Sequence, residues 1–290
     1  MSEPRRVLLL GAGYLARFVT AALPAATPLI EVRRRVPPAR PPARSGRVRV
    51  AADVTTADGV SRIARQLETG AGETDVLFML PPSGLGEHAP ADALGPLLGV
   101  LGRHGVRRVA VVSSSGIYAE EQGGEVTAAT PVDADNPRAR RLAAIEQAWI
   151  DSGLAVSVVR LAGIYGPGRI IGRDGVLAGR SLPGAPTAWL NLIRAEDAAR
   201  ALLAALDAPR RVPVALIADG NPMRRGDYYA LLASLLGAPA PRFGEARPAR
   251  GGSKRCNPAA SWRALGLAPL WPDWRASLAA LLAEDAGGAR

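Results

Sequence analysis

One stretch, Arg6-Val-Leu-Leu-Leu-Gly-Ala-Gly-Tyr-Leu-Ala16, constrains the chain more than any other. An apolar run ends in Gly11-x-Gly13-x-x-Ala16 and passes directly into a helical pattern, Tyr14 to Leu23, stopped by Pro24. A strand, a tight glycine turn and a helix N-terminus in that order can seat a dinucleotide pyrophosphate. Gly11 permits the turn, Gly13 lets backbone approach phosphate, and small Ala16 lets helix and strand pack closely. The N–H groups and positive dipole end of the helix then face the anion. The plain alternative is a βα turn with no ligand. Its position between a first strand and a first helix favours the nucleotide reading.

With 290 residues, 48% of them hydrophobic, the chain can build one large α/β domain or a domain with a smaller appendage. No run of about 18 apolar residues appears, and no signal-peptide pattern opens the chain, so no membrane partner is expected. Cys256 is the only cysteine, which excludes an internal disulfide framework and makes a reducing cytoplasm the expected location. His88 and His104 have no metal-ligand spacing, and no metal site is expected. The formal charge of +10 invites a nucleic-acid reading. Aromatics make up only 4%, however, and the arginines are spread along the chain, which argues against nucleic acid as a partner.

The segment Pro28 to Arg33 reads as a second strand running into Arg33, Arg34 and Arg35, with Pro- and Arg-rich sequence to about Arg44. In a dinucleotide fold the residue ending this strand faces the adenosine ribose. An acid there binds the 2′-OH of NAD, whereas arginine accommodates the 2′-phosphate of NADP. Glu31 lies at a spacing that suits NAD, but the strand register places Arg33 at the discriminating position with Arg34 beside it. NADP is therefore the expected cofactor and NAD the alternative; a solvated basic loop is the bland reading of the arginines.

A third strand, Arg47 to Ala52, ends at Asp53, an expected adenine contact, and a helix follows near Asp58–Leu67. The fourth strand, Asp75 to Leu80, is closed by Pro81 and Pro82, which join Tyr14 and Leu15 as expected cofactor neighbours. Pro90–Gly105 has helical spacing that Pro96 threatens to break; Arg108–Ser113 is a fifth strand, Asp135–Ser152 a helix and Val156–Arg160 a sixth strand. Such alternation predicts a doubly wound parallel sheet, the Rossmann architecture, over residues 1–160. Beyond it the pattern weakens. Helices at Ala195–Leu206, Met223–Leu236, Pro258–Leu265 and Pro272–Leu282, a strand near Val214–Ala218 and a linker at Pro239–Gly252 suggest a smaller substrate-side lobe over 161–290, with helix 195–207 returning to the core.

Three further segments carry a resemblance. They are Val111-Val-Ser-Ser-Ser-Gly-Ile-Tyr118, Val159-Arg-Leu-Ala-Gly-Ile-Tyr-Gly-Pro-Gly-Arg169 and Asn191-Leu-Ile-Arg-Ala-Glu-Asp197, with Ser253-Lys-Arg-Cys-Asn257 and a following Leu-Gly near the end. With the glycine turn, they make the chain resemble the extended short-chain dehydrogenase/reductase superfamily, in its NAD-dependent epimerase/dehydratase group. The resemblance implies a Ser or Thr with a Tyr-x-x-x-Lys pair on the helix after the fifth strand, the tyrosine exchanging a proton with substrate. A phenol titrates near ~10, so proton transfer near neutral pH needs a nearby cation.

Ser114, four residues before Tyr118, matches the Ser/Thr position. No tyrosine lies between Tyr118 and Tyr165, the helix carries Arg138, Arg140 and Arg141, and Lys254, the only lysine, is far away along the chain. Ser115 and Gly116 stand where the dehydratase subgroup has an acid pair, so glucose-type dehydration is not expected. This pattern looks like the atypical branch that lacks the Tyr/Lys pair. Arginine cannot serve as a base but can hold a phosphate or stabilise an oxyanion.

Tyr118 is the expected replacement proton donor, with an aromatic pocket wall as its alternative role. Tyr165 is expected to border substrate. Arg194, in place of the usual histidine, is expected to bind a substrate anion or to serve structure, and Asp197 to cap or orient the next helix. Two functions compete: an NAD(P)-dependent oxidoreductase or epimerase acting on a small polar or nucleotide-linked substrate, and a non-catalytic NADP-binding regulator or scaffold. Helices of this fold often pair across a two-fold, which makes a homodimer the alternative to a monomer.

Overall fold

The computed structural model describes residues 5–35, 46–69, 72–244 and 253–287. The basic stretch from 36 to 45 and most of the expected linker, from 245 onward, lie outside the described residues. Seven strands form one sheet: β1 (Arg6–Leu10), β2 (Leu29–Arg33), β3 (Arg47–Ala51), β4 (Thr74–Phe78), β5 (Val106–Ser114), β6 (Val156–Leu161) and β7 (Val214–Ile217), in the order β7-β6-β5-β4-β1-β2-β3. The pairings of β1 with β2 and β4, of β2 with β3 and of β4 with β5 are parallel. Central β1 and β4 are buried along their whole length, which explains the apolar runs Val7–Leu10 and Val76–Phe78. Edge strand β3 alternates arginine with valine and exposes most of its residues.

By its contacts the chain divides into two compact units. The first comprises Met1–Ser113, Pro137–Val159 and Ala199–Val214; the second comprises Ser114–Asn136, Arg160–Ala198 and Ala215–Arg290. A single cut at residue 160 therefore does not describe this division. The segment from Ser114 to Asn136 groups with the second unit, and most of the helix 195–207 groups with the first.

In the first unit, helix α1 (Ala16–Ala22) begins two residues later than its apolar pattern predicts, leaving Tyr14 and Leu15 in the turn. Helix α2 (Ala57–Glu68) starts at Thr56, whose hydroxyl accepts the Gly59 N–H at 3.1 Å, and buries Val60, Ile63 and Leu67 at helical spacing. Gly59 itself must be glycine, because a Cβ there would collide with the Asp53 carbonyl. Helix α3 (Pro90–Arg103) runs unbroken through Pro96. The proline faces solvent while Ala93, Leu94, Leu97 and Leu101 are buried, so packing of the opposite stripe outweighs one lost backbone hydrogen bond. Helix α4 (Pro137–Ile150) seats Trp149 against Phe78 of β4, ring centroids 4.9 Å apart, within one continuous core.

The second unit has its own core, in which Tyr165, Tyr228, Tyr229 and Trp274 pack with Leu192, Leu232 and Leu278. Short strand pairs organise its loops: Gly163–Tyr165 runs parallel to Leu192–Arg194, and Arg255–Cys256 runs parallel to Glu125–Val126. Met223 and Arg224, expected to be helical, pair antiparallel with Trp189 and Leu190 instead, and the helix begins at Arg225. Among the described residues no helix is long and apolar enough to cross a membrane.

Candidate functional site

The glycine turn lines a cleft of ≈ 270 Å³ in the first unit. Gly11 has φ +91°, and a Cβ on it would lie 2.9 Å from the Leu80 backbone nitrogen, so both backbone geometry and space require glycine. Gly13 differs: its nearest neighbour in the direction of a Cβ is the Gly11 carbonyl at 4.0 Å, which leaves open space before its backbone. Helix α1 has no side-chain cap and no acid in its first turn. An uncapped helix end of this kind suits an anion. The residues present therefore fit a dinucleotide.

The expected cofactor residues separate by position. Gly11, Gly13, Arg33, Arg34 and Pro81 all line this cleft, as does Arg35. Leu15 is buried against the core. Tyr14 packs on Phe18 with the Arg17 guanidinium over its ring at 4.6 Å. Pro82 opens a 3-10 turn, and its carbonyl accepts from Arg141. Asp53 turns back along the chain: its Oδ1 accepts the Thr55 N–H at 3.0 Å, and Arg34 Nε stands 3.9 Å from its carboxylate. The flanking Ala52 and Val54 face the cleft.

Glu31, the acid that would have suited NAD, is buried between Arg47 and Arg49 of β3 and bonded to the former. Its place in the middle of β2 makes it an ion-pair partner, while Arg33 ends the strand.

The second unit gathers Ser114 and Tyr118 where β5 ends. Ser114 Oγ accepts the Gly116 N–H at 3.1 Å and starts a short 3-10 turn, which carries the chain to Tyr118. Tyr118 is 3% exposed, and its hydroxyl accepts a hydrogen bond from Arg160 Nη1 at 3.1 Å. Its carbonyl accepts from Lys254 Nζ at 2.5 Å.

This corrects the expectation that Lys254 is remote. Sequence separation of 136 residues vanishes in the fold, although the ammonium reaches the tyrosine's backbone and not its phenol. Burial lowers the Lys254 pKa, opposed by Asp133, Glu121 and Glu120. Asn191 sets the lysine's position. Its side-chain amide donates to the Lys254 carbonyl at 2.8 Å, and its oxygen accepts the Cys256 N–H at 2.7 Å.

Sequence reasoning missed Arg160, Lys254 and this role of Asn191. One signal was available: a chain with 36 basic residues uses lysine only once. Cys256, two residues after Lys254, is buried, and burial pushes its thiol up to about 12.

Tyr165 and Arg194 depart from the substrate-facing expectation. Tyr165 is fully buried in the second core, and burial raises its pKa to about 12. Arg194 is 3% exposed; it bonds Glu196 and Ser277, each at 3.1 Å, and lies 3.8 Å over the Trp271 ring. Its Nη2 also lies 3.7 Å from Glu284, so the guanidinium is engaged with groups of the fold. Asp197 accepts the backbone N–H groups of Leu270 and Trp271, each at 3.0 Å, and so ties a loop to the start of helix 195–207.

The parallel sheet with its glycine turn between β1 and α1 defines a Rossmann-type α/β fold. More particularly, residues 92–217 match the model of the NAD dependent epimerase/dehydratase family, the group that the sequence motifs resemble. The chain is 31% identical over 176 residues to protein YeeZ of Escherichia coli (strain K12); the match covers 59% of this chain and 62% of YeeZ. Two solved structures share the fold over nearly the whole chain. MoeE5 in complex with UDP-glucose and NAD superposes with a TM-score of 0.77 at 22% identity, covering 98% of this chain and 100% of that one. UDP-N-acetylglucosamine 4-epimerase from Methanobrevibacter ruminantium M1 gives 0.79 at 15%, covering 99% and 100%.

Proposed function

We propose that the protein is an NAD(P)-dependent oxidoreductase or epimerase acting on a small polar or nucleotide-linked substrate, with Ser114 and Tyr118 forming its proton path. The observation that carries this reading is the glycine cleft bounded by Arg33, Arg34 and Arg35. The match of residues 92–217 to the epimerase/dehydratase family model, and the fold shared with a protein solved in complex with UDP-glucose and NAD, support the same class of chemistry. The three arginines favour NADP, since a 2′-phosphate needs cationic donors where a 2′-OH needs an acceptor.

The nicotinamide, when bound, supplies hydride exchange. The chain's own residues position and move the proton. Arg160, donating to the Tyr118 oxygen, stabilises the negative charge that develops there as the phenol gives up its proton. Lys254 fixes the same residue through its carbonyl, so Tyr118 is held at its hydroxyl and at its backbone. Ser114 supplies a second hydroxyl four residues away.

One feature favours the non-catalytic regulator. Helix α4 offers arginines where the family has its Tyr/Lys pair, and Arg141 is bonded to the carbonyls of His88 and Gly86. Thermal shift with NADPH and NADH, then a carbonyl-substrate panel followed at the nicotinamide absorbance, separates the readings. The enzyme reading expects binding, turnover, and loss of turnover in Tyr118→Phe with cofactor affinity retained. Binding without turnover across the panel supports the regulator; no binding of either dinucleotide defeats both.

A further inference from the structure

A second cavity, ≈ 710 Å³ in volume, lies wholly within the second unit and shares no residue with the glycine cleft. Its size falls in the range of small-molecule sites. Asp219 lines it and is 3% exposed. One carboxylate oxygen, Oδ1, accepts the Asn221 N–H at 2.9 Å; the other, Oδ2, is buried without a hydrogen-bond partner. A buried oxygen left in this state calls for a hydrogen-bond partner from outside the fold.

The rest of the lining defines what kind of partner. Trp189, Trp262, Pro222 and Leu267 give apolar walls. The Trp262 indole N–H is already used by the Ala218 carbonyl, so the wall it offers is apolar. Two guanidinium groups, Arg255 and Arg263, line the same cavity. Arg255 donates one bond, from Nε to the Gly123 carbonyl at 2.8 Å, which leaves its terminal nitrogens for other partners. Glu125, the other acid present, accepts from Asn257 at 2.9 Å. Among the described residues no cluster of three or more His, Cys, Asp or Glu side chains that could hold a metal ion exists.

From this geometry we infer that the cavity is a ligand site for a small hydroxylated organic anion. A ligand hydroxyl hydrogen-bonds with Asp219 Oδ2, and the ligand's carboxylate or phosphate is held by Arg255 and Arg263. Burial raises the Asp219 pKa to about 8, with Asp197 and Asp273 adding to the rise, so near neutral pH the carboxyl does not repel an anion.

The test is titration of the full chain with glucuronate and with glucose 1-phosphate, followed by tryptophan fluorescence and calorimetry. The two probes distinguish a carboxylate from a phosphate head. At least one is expected to bind saturably. Glucose, which lacks the anion, and succinate, which lacks the hydroxyl, are expected to bind at least ten-fold more weakly. Arg255→Ala with Arg263→Ala, and separately Asp219→Leu, should each weaken binding ten-fold or more. Saturable binding by neither probe, equal binding of glucose, or binding that survives the double arginine variant overturns the inference. If Asp219→Leu does not fold, the exposed arginine pair still decides.

Discussion

Asp219→Asn should change how the protein's stability responds to pH. The native carboxyl, pushed up to about 8 by burial, is compared with 3.8 for an unperturbed aspartate. Between those values the folded chain retains a proton that the unfolded chain has released. Stability from this group is therefore complete below about 3.8 and is lost as pH rises toward 8. Each pH unit in the window costs about 1.4 kcal/mol, so the loss between pH 5 and 7 is roughly 3 kcal/mol.

Asparagine keeps the acceptor for the Asn221 N–H but cannot ionise. It leaves a buried amide donor unpaired, at about 1–3 kcal/mol independent of pH. The informative quantity is thus the slope and not the absolute stability. Urea unfolding of both proteins from pH 5 to 7.5, read by tryptophan fluorescence, should show wild type losing stability relative to the variant by about 1.4 kcal/mol per unit. Parallel curves would falsify the assignment of a buried, proton-retaining carboxyl. Histidine titration cannot mimic the effect, because both proteins carry the same His88 and His104.

Three further outcomes follow from the two units. Gly11→Ala forces a side chain onto φ +91° and against the Leu80 backbone nitrogen, so dinucleotide binding should fall at least ten-fold by calorimetry; retained affinity would show that the turn does not hold phosphate. Arg33→Ala with Arg34→Ala should weaken NADPH by about 10–100-fold, the worth of charge-assisted hydrogen bonds, and NADH by much less; equal losses would remove the case for NADP. Lys254→Met deletes the donor to the Tyr118 carbonyl, and a charged hydrogen bond contributes about 1.5–3 kcal/mol, so the melting temperature should drop even if dinucleotide affinity holds; an unchanged melting temperature would show that this contact does not support the fold.

The glycine turn, the parallel alternation and the arginines ending β2 were legible in sequence because each depends on local rules: apolar runs for doubly covered strands, glycine for a left-handed turn, register along one strand. Pro96 was misleading for a related reason. A local rule condemns a proline inside a helix, but the buried stripe on the opposite face decides whether the helix survives.

The surroundings of Tyr118 could not be read this way. Its phenol meets an arginine 42 residues on, and its carbonyl meets a lysine 136 residues on. Tyr165 and Arg194 sit in motifs that suggest substrate, yet packing assigned both to the interior. Sequence alone determined the fold class and the glycine turn, since these rest on periodicity and backbone conformation. Only the tertiary structure decided which charges meet, which polar atoms are left without partners, and which aromatic rings are buried. Those outcomes depend on distances between segments that no local pattern encodes.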